Sequence, residues 1–156
     1  MTDEPKNLTG VRIPPPILTL IHLLAAFLLG FLLPLPLPQP GWLPVAGWVI
    51  VLAGLALAFW AVAHFRKART TLDPHGGTTA IVTGGPYRYT RNPIYVAYLC
   101  LLVGFPLVLD MYWGLILAPL LVVLMTRLVI QPEETYLATH FGQPYLDYKA
   151  RVRRWL

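Results

Sequence analysis

Four apolar stretches, residues 17–33, 42–65, 94–109 and 113–130, are separated by segments rich in proline, glycine or charge. That pattern leaves the chain few options. Water cannot satisfy backbone polar groups inside a bilayer, so each stretch must be a helix. About twenty residues cross a bilayer core, which makes 42–65 comfortable and 17–33 and 94–109 short. The short spans require local thinning or extension through flanking residues. The breaks are legible. Prolines 34, 36, 38 and 40 followed by Gly41 separate the first span from the second, and Asp110-Met111-Tyr112 forms a tight turn between the third and fourth. The expectation is an all-α, polytopic membrane bundle of about four transmembrane helices. Its 156 residues form one membrane domain, with two N-terminal spans in 1–65 and a loop, helical hairpin and C-terminal helices in 66–156.

Charge decides sidedness and excludes other classes. Only 12% of residues are charged, against roughly 25% in soluble domains. A net charge of +5 would suit nucleic acid, but the basic residues flank apolar spans and read as membrane-orienting charges, so no nucleic-acid partner is expected. Segment 66–91 carries Arg66, Lys67, Arg69, Arg88 and Arg91 against Asp73, and the tail carries Lys149, Arg151, Arg153 and Arg154. The connections at 34–41 and 110–112 hold no lysine or arginine. Both termini, the central loop and any active site among them are therefore expected on the cytoplasmic side, with Trp42, Trp48, Tyr112 and Trp113 at the opposite interface. Residues 1–16, with their charges and Pro14-Pro15-Pro16, do not read as a cleavable signal, so the first span is expected to be retained. The single cysteine, Cys100, sits in an apolar run and reads as filler. A small-residue stripe, Gly54, Ala58 and Ala61, is expected to pack helices within the chain.

Polar residues concentrate where the third span begins and the fourth ends. Asn92-Pro93 suits a helix start, as cap and first-turn residue. The same helix end offers N–H groups and a positive dipole to an anion, reinforced by Arg88 and Arg91; alternatively, these arginines reach lipid phosphates. Gly84-Gly85-Pro86 permits a sharp turn and close approach of a ligand to backbone. Gly76-Gly77 reads as a linker, and neither glycine pair forms a dinucleotide fingerprint.

Glu133-Glu134, just past an apolar span, need partners near low dielectric. Pro132 is expected to start a new helix whose dipole the two acids complement. Successive helical residues point about 100° apart, so one glutamate can face inward while the other binds a basic neighbour. Arg127, still within the apolar stretch, is a candidate partner or substrate ligand. Beyond residue 130, Tyr136, Leu137, Phe141, Tyr145 and Tyr148 recur at mostly helical spacing, giving an amphipathic cytoplasmic segment that folds over the mouth of the bundle or lies on lipid. His22, His64, His75 and His140 share no metal-ligand spacing, so no metal is expected. No Ser-His-Asp or Cys-His signature is present.

The run Val82-Thr83-Gly84-Gly85-Pro86-Tyr87-Arg88, then Arg91-Asn92-Pro93-Ile94-Tyr95, then Glu133-Glu134 with Leu137, Phe141-Gly142, Tyr145, Tyr148 and Val152, resembles the isoprenylcysteine carboxyl methyltransferase and phospholipid methyltransferase superfamily. The resemblance covers residues 66–156; residues 1–65 match only as generic spans. It implies an integral membrane enzyme that takes S-adenosylmethionine from the cytoplasm and methylates a lipid-like or small amphipathic acceptor from the bilayer. It further implies that Ile81, Val82, Gly85, Tyr87, Arg91, Asn92, Pro93 and Tyr95 form one wall of the cofactor site. Glu133, Glu134, Leu137, Tyr145 and Tyr148 would form the other. Asn92 stands where the prenylcysteine enzymes commonly have histidine and resembles the Asn-Pro pair of the phospholipid N-methyltransferases. If the acceptor is a carboxylate, no base is needed and Arg127 can hold it. If it is an amine, a proton must leave, and Glu133, Glu134 or a tyrosine becomes the candidate base. A sterol-type membrane reductase using reduced nicotinamide, and a non-enzymatic membrane subunit, are the alternatives outside this class.

Overall fold

The computed structural model describes residues 10–11, 13–38, 40–67 and 81–156. Arg12, Arg69, Asp73, His75, Gly76-Gly77 and the charged N-terminal residues lie outside them. Helix α1 (Pro15–Leu32) starts on prolines, which fit a first turn because no N–H is needed there. Helix α2 (Leu43–Lys67) follows the proline-rich connection. A 3-10 turn over Gly85–Arg88 leads into α3 (Pro93–Val108). Helix α4 (Trp113–Met125) runs through a π-turn, Thr126–Ile130, into α5 (Gln131–Phe141), and α6 (Gln143–Arg151) closes the described elements.

Three helices, Pro15–Leu32, Leu43–Arg66 and Trp113–Phe141, are long and apolar enough to cross a membrane, and Pro93–Val108 is a shorter apolar helix. The 16 residues of α3 rise about 24 Å, so the expected shortness of this span is present in the structure. Its apolar neighbours turn large side chains outward: Leu24 and Phe31 on α1 and Leu52 and Phe59 on α2 are 59–79% exposed, a surface that water would penalise and lipid would not.

One expectation is corrected. Pro132 does not start a new helix; the chain stays helical from Trp113 to Phe141. A proline inside a helix lacks a donor and crowds the carbonyl four residues back, and the wider π-turn immediately ahead of Pro132 accommodates both. The apolar span ends at Ile130, and the polar remainder of the helix projects beyond it.

Close backbone approach explains the contact between α2 and α3. A methyl group added at Gly47 would meet the backbone of Val108 and Gly104 at 2.7–2.8 Å, and one at Gly104 would meet the Gly47 carbonyl oxygen at 2.8 Å. Gly54 packs on Cys100 in the same way. Small residues thus serve packing within the chain, as expected for Gly54, and Ala61 enters the tyrosine cluster described below. On the other flank, Leu18 and Ala26 of α1 bury against Leu102, Leu121 and Met125. Thr19 and His22, buried in α1, donate back to the carbonyls of Pro15 and Leu18 at 3.0 and 2.8 Å, which satisfies them within the helix.

The two ends of the bundle differ in character. At one, the Trp113 indole donates to the Leu33 carbonyl at 2.9 Å and the Tyr112 hydroxyl to that of Pro38, which ties the α3–α4 turn to the α1–α2 connection. At the other, α5, α6 and the tail fold back onto the start of α3. Tyr148 donates to the Tyr87 carbonyl at 2.8 Å, and the Arg91 N–H to the Arg153 carbonyl at 2.9 Å.

Candidate functional site

The site grows from the step between the 3-10 turn and α3. Gly85 has φ +59, a conformation side chains rarely adopt, and a Cβ there would collide with the His64 ring. The close approach expected at this glycine is therefore made by a side chain of α2. His64 is itself fixed by its Nδ1, which donates to the Trp60 carbonyl at 2.9 Å. The turn aims Tyr87 inward, where it packs with Ala61, Tyr145 and Tyr148. Arg88 is exposed, so of the two arginines expected beside the helix start only Arg91 enters the site.

Asn92 occupies the cap position of α3 without its side chain capping the helix. The amide instead donates to the Arg154 carbonyl at 2.9 Å, while Thr90 Oγ1 donates to the same oxygen at 3.2 Å. An isolated parallel bridge pairs Thr90 with Arg153. Trp155 closes this strap by donating to Thr126 Oγ1 at 3.1 Å, at the π-turn.

Glu134 is the centre of an ion cluster. Its Oε1 receives Arg91 Nη2 at 2.8 Å and Arg154 Nε at 2.9 Å, and its Oε2 receives Arg154 Nη2 at 2.7 Å with Lys149 Nζ at 3.4 Å. Burial pushes this carboxyl up, but the Arg154 hydrogen bonds and the three cationic charges outweigh it and hold the group below the usual carboxylate range. The partner of the acidic pair is thus Arg91 with the tail, and not Arg127, which is exposed on the outer face of the π-turn. The helical step explains the difference: Arg127 leaves the helix on a face that α3 and the tail do not cover.

Glu133 points elsewhere. Tyr95 donates its hydroxyl to both carboxylate oxygens, at 2.8 and 2.9 Å. Burial raises this carboxyl to about 7, aided by the nearby Glu134 charge and opposed by the Tyr95 hydrogen bond. Desolvation likewise raises Tyr145 to about 12 and lifts Tyr87 and Tyr148 well above the ordinary phenol value, so all three stay neutral donors.

Between these groups lies a cavity of about 80 Å³. Of the residues singled out in the sequence, Ile81, Val82, Tyr87, Arg91 and Asn92 line it from one side, and Glu133, Glu134, Leu137, Tyr145 and Tyr148 from the other. Tyr95 stands behind Glu133, Pro93 is buried in the helix start, and Gly85 acts through the turn rather than at the wall. Phe65 and Ile130 complete the lining, and neither carried a signal beyond its place at the end of an apolar span. Arg91, which lines the cavity, is 9% exposed in its side chain, and its Nε is buried without a hydrogen-bond partner among the described residues.

A helical membrane protein with a tyrosine-walled, carboxylate-bearing cavity at one end of its bundle is the class that fold and site define. The chain belongs to the phospholipid methyltransferase family, which it matches over residues 42–144. The match takes in α2 as well as the expected C-terminal part, and it stops before Tyr145, Tyr148 and the strap. The chain is also 33% identical to protein-S-isoprenylcysteine O-methyltransferase of Rattus norvegicus, over 74% of this chain and 42% of that protein's length. No solved structure matches.

Proposed function

We propose that this chain is an S-adenosylmethionine-dependent methyltransferase that works at the cytoplasmic face of a membrane on a lipid-like or small amphipathic acceptor. The observation that carries the reading is the cavity lined together by Glu133, Arg91 and three neutral tyrosines. Family membership and the name of the rat relative support it. The residues fit the cofactor's chemistry: its carboxylate suits the Arg91 guanidinium, its amine and ribose hydroxyls suit Glu133 and the phenols, and its adenine suits the aromatic and aliphatic walls. The present volume holds only a few waters, so seating the whole molecule widens the cavity between its walls.

When bound, this cofactor supplies a methyl group on a sulfonium centre, open to in-line displacement. The chain's part is to orient the two reactants and keep water out, which Tyr87, Tyr145, Tyr148 and Leu137 do by packing. Arg127, exposed where the apolar span ends, does not line the cavity, so this reading gives it no contact with the reacting groups. A second reading, in which the acceptor is an amine as in phospholipid N-methylation, is favoured by Glu133: a carboxyl titrating at about 7 suits removal of a proton at neutral pH.

Purified protein incubated with methyl-labelled S-adenosylmethionine and extracted membrane lipids should yield a labelled, organic-soluble product. A product hydrolysed by mild base is an ester; one that survives is a methylamine. Absence of any transfer by folded protein, together with absence of cofactor binding, would refute the proposal.

A further inference from the structure

Glu134 walls two spaces. Its inner side faces the cavity described above, and its outer side faces an open groove of about 570 Å³ between α5 and the tail. Gln131, Thr135, Thr139, Lys149 and Arg154 line that groove with it.

The charges around Glu134 do not balance. Arg91, Lys149 and Arg154 all lie within 2.7–3.4 Å of one carboxylate. A carboxylate offers about four lone-pair sites, and the four contacts to Glu134 fill them, so two positive charges remain in excess. Arg91 is held on the inner side, whereas the side chains of Lys149 and Arg154 are 39% and 32% exposed along the groove. An ammonium carries three donors, and Glu134 accepts from Lys149 at 3.4 Å only. The Thr135 and Thr139 hydroxyls donate to the carbonyls of Gln131 and Thr135 at 3.0 Å, so they present lone pairs that accept from a hydroxylated ligand. Gln131 directly follows the last apolar residue of the span, so a bilayer covering that span would bring its headgroups to the groove.

We propose that this groove is an anion site, separate from the cavity on the other side of Glu134, that takes a phosphate group held by Lys149 and Arg154. The phosphate comes either from the headgroup of an anionic lipid or from solution. Because its ligands are also Glu134's partners, occupancy draws both cations outward and leaves Arg91 as the principal counter-charge of Glu134. The site stands independently of the methyl-transfer reading.

The test uses the full chain, delipidated in a neutral detergent, and titrates inorganic phosphate in one arm. In the other it measures retention of phosphatidylglycerol against diacylglycerol by native mass spectrometry. The expected result is saturable phosphate binding, selective retention of phosphatidylglycerol, or both. Either should weaken about tenfold in Lys149→Gln, the scale of one charge-assisted contact. Arg151→Gln removes the same unit of charge from an exposed turn of α6 that does not line the groove, and it should leave binding unchanged. Phosphate binding alone would identify a free anion, and retention of phosphatidylglycerol alone a headgroup. Equal loss in both variants, or no saturable binding of either probe, would overturn the proposal.

Discussion

Glu133 and Glu134 are neighbours of the same chemistry, yet the two faces of α5 treat them oppositely. Glu134 meets Arg91, Lys149 and Arg154 and stays ionised, fastening the tail to the start of α3. Glu133, one helical step away, meets a phenol and the inner cavity and is raised by burial to about 7. The difference shows that position along the helix sets burial for both, while the face decides protonation. One carboxylate holds the architecture, and the other is the group to which the proposed function assigns proton removal when the acceptor is an amine.

The harshest way to break this contrast is to remove the structural partner. Glu134→Ala leaves Arg91 buried and uncompensated, which should cost about 3 kcal/mol, at the low end because Lys149 and Arg154 can turn to water. Chemical unfolding in detergent would read this, and ligand binding should fall with it. Glu133→Gln should leave the folded protein intact and, if the acceptor is an amine, slow transfer about a hundredfold or more. A Glu133→Gln variant as unstable as Glu134→Ala would erase the distinction.

Arg154→Ala tests the strap. It removes two hydrogen bonds to Glu134 from a side chain already about one-third exposed, so about 1 kcal/mol is expected after solvent screening. Tyr95→Phe should cost about 1 kcal/mol or less and move the Glu133 titration upward, because the lost hydrogen bond favours the ionised form. The smallest effect is in the pH profile. Glu133 is raised in the folded state, so its contribution falls as pH climbs from the ordinary glutamate value of about 4.3 to about 7. Glu134 is depressed, so its contribution is present above the ordinary carboxylate range and is lost as pH falls through the folded value. Glu133→Gln should flatten only the neutral side of a stability–pH curve, and Glu134→Gln only the acid side.

The spans were legible because membrane helices must announce themselves by apolar length, and the aromatic and glutamate positions because they flank those spans. The split between the glutamates was legible as a possibility from the helical step alone. Which partner each would meet was not. Arg91 and Glu134 are 43 residues apart, and Arg127 was nearer in sequence while facing away in space. The role of Arg154 was hidden for a related reason: in Arg153-Arg154-Trp155 nothing local distinguishes an orienting charge from a strap that pairs with Thr90 and Asn92. Pro132 misled because a proline reads as a helix start unless the π-turn that accommodates it can be foreseen.

The most direct test of the central claim is a calorimetric titration of S-adenosylhomocysteine into wild type, Glu133→Gln and Arg151→Gln, each shown to be folded, with reduced nicotinamide dinucleotide phosphate as control ligand. The account predicts saturable binding of S-adenosylhomocysteine alone, weakened in Glu133→Gln and unchanged in Arg151→Gln. Folded wild type that fails to bind it, or a Glu133→Gln variant that binds as tightly as wild type, would contradict the account.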